Sequence, residues 1–276
     1  MSKNKRYIII VLIIVAICGI SIFYIIKKNG SNERQVVDNT PATVAPTVEP
    51  TEKPKVMLPE LVDYYNKNQD LIGWLKIDGT PIDNPVMFIE GDNDFYLKRD
   101  FDKKDSIYGT LYIDGASKIS TPNTNIIIYG HNMKNQTMFG SLKQYRNKSY
   151  YDAHPTITFN TLYERGEYEI FGAFYAQVLK KSDTTSYRYY QFFEATTEDE
   201  FNEFVQYVEK VRQYDTGVRP QYGDQLITLS TCSSHVDNGR FAVVARRITT
   251  EENVDNNTNQ NTITDANTSN ENTVQN

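Results

Sequence analysis

Few residues in this chain could act as nucleophiles. It holds 2 cysteines and 3 histidines. Cys232 closes the β-type run Leu226-Ile227-Thr228-Leu229-Ser230-Thr231-Cys232, and Arg240 opens the next, Arg240-Phe241-Ala242-Val243-Val244. A thiol becomes a good nucleophile when a nearby base or cation favours its thiolate. His131 follows the apolar run Asn125–Tyr129, where a rigid strand can present a side chain. His235 lies in the loop just after Cys232, and His154 sits in Tyr151-Asp152-Ala153-His154-Pro155, which reads as a surface turn. Spacing alone does not choose between His131 and His235. Arg240 would add a permanent charge and a fork of donors able to hold a carbonyl or an oxyanion.

The elements around these residues follow from periodicity. Between the two runs lies Ser233-Ser234-His235-Val236-Asp237-Asn238-Gly239. Asp-Asn-Gly is a turn signal, so the pair reads as a β-hairpin with Cys232 and Arg240 as neighbours. Side chains alternate faces along a strand. Ile227, Leu229 and Thr231 share one face; Thr228, Ser230 and Cys232 share the other, more polar one. The thiol is therefore expected in a groove, against the commoner fate of a free cysteine, which is burial.

The ends of the chain differ in composition from its middle. Tyr7 to Ile26 is an uncharged apolar run, with Lys3, Lys5 and Arg6 before it and Lys27 and Lys28 after it. Its length suits one membrane-spanning helix, which needs ~20 residues. An uncleaved anchor at 1–28 is expected, with its N-terminus inside. Residues 29–57 are rich in Thr, Pro, Val and Glu and read as an extended spacer. Residues 250–276 are rich in Asn and Thr and read as a disordered tail. The globular domain is expected at 58–249. A formal net charge of −6 argues against nucleic-acid binding. Cys18 lies inside the apolar run and could not reach Cys232. An extracellular Cys232 would then be a lone thiol, which points to reactivity or intermolecular pairing.

Within the domain, Pro59–Asn66 reads as a short helix and Trp74–Ile77, Pro85–Ile89, Tyr108–Ile113 and Asn125–Tyr129 as strands. Gly130 is read as giving the chain freedom at the exit of the last of these. Further strands are expected at Thr156–Phe159, Gly166–Phe171 and Ala173–Leu179. Thr197-Glu198-Asp199-Glu200 has capping-box form and precedes Phe201, Phe204, Val205, Val208 and Val211 at helical spacing. That helix is expected to stop near Gln213–Gly217. The fold class is mainly β, a barrel or sandwich of about eight mostly antiparallel strands, with one long helix before the last two.

Thr228-Leu229-Ser230-Thr231-Cys232, with Arg240 opening the next strand, resembles the signature of sortases, and Tyr129-Gly130-His131-Asn132-Met133 resembles their histidine segment. Gly73–Ile77, Asp92–Leu97, Met138–Leu142 and the late helix resemble class B sortases in particular. The resemblance covers Pro59 to Ile248. It implies an eight-stranded closed barrel and a cysteine transpeptidase on the outer face of a Gram-positive cell membrane. The partners implied are surface proteins bearing a C-terminal sorting motif and a peptidoglycan precursor amine; no cofactor or metal is implied. By motif, Cys232 would be the nucleophile, His131 the general acid/base and Arg240 the group that orients substrate and oxyanion. Asn93, Leu97 and Ser230 match positions that line the class B groove. Ser234 and His235 depart from the aromatic residue and acid common there, which bears on loop contacts and motif preference.

Two other readings compete. Cys232, His235 and His131 could hold a metal, although zinc sites usually show more ligands. A tethered barrel could equally be a non-enzymatic surface binding module, because layout says nothing about chemistry.

Overall fold

The computed structural model describes residues 55–249 apart from 93–94, 118 and 120–123. Eight strands close into one barrel: β1 (Leu71–Lys76), β2 (Asp83–Met87), β3 (Leu111–Ile113), β4 (Asn125–Tyr129), β5 (Thr156–Thr161), β6 (Glu167–Gln177), β7 (Leu226–Cys232) and β8 (Gly239–Arg247). Their order around the barrel is β1-β2-β3-β4-β7-β8-β6-β5, and β1 pairs β5 to close it. Two pairings are parallel, β2 with β3 and β4 with β7; the others are antiparallel. The expected mainly β, closed-barrel fold class is the one observed.

Alternation along β7 and β8 explains why both are buried on two sides. Ile227, Leu229, Phe241, Val243 and Ala245 fill the barrel with Leu75, Val86, Ile128, Ile157, Phe159 and Ile170. Leu226, Ala242 and Val244 point outward and meet helix α3 (Glu198–Val211) through Phe201, Phe204, Val205 and Val208. Thr197 caps that helix by accepting from Glu200 N at 3.3 Å. Helix α1 (Pro59–Lys67) buries Leu61 against Leu71, Met87, Tyr96 and Leu162. Helix α2 (Lys148–Ala153) is the short remaining one.

Three expectations are corrected. Gly166–Phe171 and Ala173–Leu179 are one continuous strand, β6; its register shifts between Ile170 and Gly172, so the glycine marks a bulge rather than a break. Helix α3 ends at Val211, well before Gly217, because Arg212 turns extended (ψ 147°) and Gln213 N donates to Ala173 O at 2.9 Å. Gly130 is required by crowding: a Cβ there would press on Leu111 and stand 2.8 Å from the Phe139 ring, and its φ is not positive. The apolar run at Tyr7–Ile26, the spacer to residue 54 and the tail from 250 lie outside the described residues. Among the described residues no helix is long and apolar enough to cross a membrane.

Candidate active site

The parallel pair β4–β7 brings the distant histidine to the cysteine. Tyr129 lies opposite Ser230, and Gly130 N donates to Ser230 O at 3.3 Å. The buried hydroxyl of Thr231 donates to Gly130 O at 2.7 Å. His131 lies two residues past the end of β4 and Cys232 closes β7, so the same register carries both to this edge of the barrel. Asn132 Nδ2 donates to Cys232 O at 3.0 Å and secures the same junction. On the other side, Cys232 is the direct register partner of Arg240 in the antiparallel β7–β8 pair. Three adjacent strands thus end on one rim with an imidazole, a thiol and a guanidinium.

The environment of each group differs. Cys232 is a free, exposed thiol. His131 is half-buried, and its Nε2 lies 2.7 Å from Leu97 O. A carbonyl only accepts, so Nε2 carries the proton in that bond and Nδ1 is the nitrogen left to exchange one. The main chain of His131 is held as well, since Phe139 N donates to its carbonyl at 2.9 Å. Arg240 spends one nitrogen on its own turn, with NH1 donating to Gly239 O at 3.0 Å. The guanidinium has donors beyond that one, on the rim beside the thiol.

The remaining expected residues fall in distinct places. Ser230 does share a face with Cys232, but it is fully buried, and its Oγ lies 2.9 Å from the Tyr189 hydroxyl. Burial raises the Tyr189 phenol well above its ordinary value, opposed by the Ser230 bond and the Arg240 charge. The polar face of β7 is therefore covered as far as Ser230 and open at Cys232. Leu97 is half-buried and its main-chain oxygen touches the catalytic histidine candidate; Asn93 lies outside the described residues. His235 is exposed, with Nδ1 3.0 Å from Ser233 Oγ and its ring 4.7 Å from that of Tyr175. His154 binds Asp78 O through Nδ1 at 2.8 Å, and its ring lies tilted at 56° against that of Tyr150, 4.6 Å away. Among the described residues no three His, Cys, Asp or Glu side chains converge as a metal site would need. Sequence reasoning missed Thr231, Tyr189 and the Leu97 carbonyl. Only Thr231 carried a signal, a hydroxyl on the inward face of its strand.

An exposed thiol flanked by an imidazole and a guanidinium suits acyl transfer through a thioester. Comparison with known proteins agrees with that chemistry. The family profile of the Sortase domain matches residues 75–248. A curated relative named Sortase B, from Listeria monocytogenes, is 33% identical over 192 residues, covering 69% of this chain and 74% of that protein. A Staphylococcus aureus Sortase B is 28% identical over 183 residues, covering 66% and 71%. Among solved structures, a Staphylococcus aureus sortase B–substrate complex superposes with a TM-score of 0.62 at 26% identity, covering 70% of this chain and 87% of that one. Sortase B from Bacillus anthracis gives a TM-score of 0.61 at 27% identity, covering 70% and 85%. On this fold, this rim and these relatives, the chain belongs to the sortase family, in its class B branch, and is a cysteine transpeptidase.

Proposed function

We propose that this transpeptidase is anchored in the cell membrane by Tyr7–Ile26 and works outside it. It would cut a C-terminal sorting motif after Thr and join the retained protein to a peptidoglycan precursor amine. The reading is supported chiefly by the meeting of His131, Cys232 and Arg240 at three adjacent strand ends. The Cys232 thiolate attacks the Thr carbonyl carbon, forming a C–S bond and an oxyanion that Arg240 holds. Collapse breaks the C–N bond, and the departing amine takes a proton from the His131 imidazolium. A second amine then attacks the thioester and gives its proton to His131. The C–S bond breaks and the thiolate is restored. The apolar run with its basic flanks, followed by a Pro/Thr-rich spacer, supports a tethered domain.

Quenched fluorogenic peptides, randomised at the three positions before a fixed Thr and at the one after it, test the chemistry, with triglycine as the acceptor probe. Cleavage is expected, with a ligated product when triglycine is present. Cys232→Ala and His131→Ala each abolish both. Cleavage retained by Cys232→Ala would overturn the mechanism. Full-length protein is expected in the membrane fraction and released only by detergent, whereas a chain lacking 1–28 is soluble. Recovery of the full-length protein in the soluble fraction refutes the anchor.

A further inference from the structure

The bond from His131 Nε2 to Leu97 O depends on how firmly that carbonyl is placed. Leu97 belongs to the β2–β3 connection, outside the barrel strands, where the described residues form only an isolated bridge, Arg99 with Asp105. Two features hold it instead. The first is the turn Ser106–Gly109. Ser106 N donates to Lys98 O at 2.8 Å, Thr110 N to Tyr96 O at 2.9 Å, and Thr110 Oγ1 to Arg99 O at 2.9 Å. Gly109 sits at φ +58°, and a Cβ there would stand 2.7 Å from both Leu97 O and Tyr96 O. Only glycine lets the turn lie this close against the carbonyl that His131 uses.

The second is Tyr96, which roots the connection in the domain. Its ring is 2% exposed, among Leu61, Leu71, Met87 and Leu162. Its hydroxyl donates to Asp70 Oδ2 at 2.7 Å and accepts from Asn68 Nδ2 at 2.8 Å. Asn68 is itself 4% exposed, donates to Phe101 O at 2.7 Å, and accepts from Asp70 N at 3.1 Å. Buried polar groups satisfied this completely fix position as well as stability.

We propose that Gly109 and Tyr96 are positioning residues for His131: between them they hold the Leu97 carbonyl where it receives the Nε2 proton. That bond occupies Nε2, so Nδ1 is the nitrogen left to give and take the catalytic proton, and it sets the orientation of the ring. The consequence for turnover rests on His131 being the general acid/base, as proposed above. The arrangement also links helix α1, through the Asn68 that ends it, to the orientation of a ring at the far end of a different loop.

The test uses Gly109→Ala and Tyr96→Phe, each read three ways: thermal melting, ring 15N NMR of His131, and kcat and KM on a peptide selected from the random pool. Gly109→Ala is expected to fold and to lose the protonated-Nε2 tautomer signature. Its kcat falls about tenfold or more with KM within about twofold, since a ~1 Å misplacement costs ~10²-fold. Tyr96→Phe keeps the ring packing and shows the same pattern more weakly, about threefold in kcat. It also carries the test if Gly109→Ala does not fold. Folded variants with a wild-type tautomer and wild-type kcat would overturn the proposal. A changed tautomer with unchanged kcat would uphold the positioning and instead remove His131 from the mechanism.

Discussion

Replacing Thr231 by Val separates alignment of the site from stability of the barrel. The hydroxyl of Thr231 is 2% exposed with its residue and donates to Gly130 O at 2.7 Å. The residues next along the two strands are Cys232 and His131, so this one bond clamps the strand ends that carry thiol and imidazole. Valine has nearly the same shape but cannot donate. It leaves the half-buried Gly130 carbonyl short of a partner, at a cost of about 1–3 kcal/mol. At roughly 2–4 °C per kcal/mol for a domain of this size, melting should fall by about 2–12 °C. Relaxation of the two strand ends by a fraction of an ångström to 1 Å should lower kcat/KM by about 10- to 100-fold. Thr231→Ser keeps the donor and loses a methyl, so it should retain near-normal turnover at a small stability loss. Thermal melts beside cleavage kinetics on both variants decide the matter. Lowered stability with undiminished kcat/KM in Thr231→Val would refute the reasoning, because the clamp would then hold the fold and not the site.

Other substitutions probe the rim and its supports. Arg240→Lys keeps the charge and loses the fork; kcat/KM should fall ~10²-fold with Cys232 still alkylated at a normal rate, as expected when an oxyanion donor is lost. Ser230→Ala strands the buried Tyr189 hydroxyl and should cost about 1–3 kcal/mol in a denaturant titration. A raised KM at unchanged stability would instead make Ser230 a direct substrate contact. Asp183 is held at about 2 by main-chain donation from Ser186 and then Thr185, at 2.9 and 3.0 Å. A lowered carboxyl pKa stabilises above the ordinary range and loses that contribution as pH falls toward about 2. The Asp183 carboxyl 13C resonance should therefore titrate with a midpoint of about 2; a midpoint at the ordinary carboxylate value contradicts the assignment.

The parts of the site visible in the sequence are those set by local pattern. Asp237-Asn238-Gly239 forms the tight turn expected of it, with Asn238 at φ 53° and Gly239 N donating to Val236 O at 3.0 Å. That turn fixes the β7–β8 register and so places Arg240 opposite Cys232. The choice between His131 and His235 was not local. It depends on parallel pairing of β4 with β7 across roughly a hundred residues, a contact that periodicity does not encode. Alternation put Ser230 on the face of Cys232 correctly, but nothing in β7 itself says that Tyr189 covers one and leaves the other open. The Leu97 carbonyl was invisible for a simpler reason: every residue has one, and only the fold selects which is used. Gly172 read as a gap between strands because a bulge and a break share the same residue type.

The central claim is that Cys232 carries the acyl group between the two substrates. Intact mass spectrometry of the enzyme quenched in acid during peptide turnover tests it directly. The account predicts one adduct equal to the peptide fragment ending in Thr less one water, mapped to Cys232, released by hydroxylamine and absent from Cys232→Ala. Sustained cleavage with no adduct, or an adduct mapped to another residue, would contradict it.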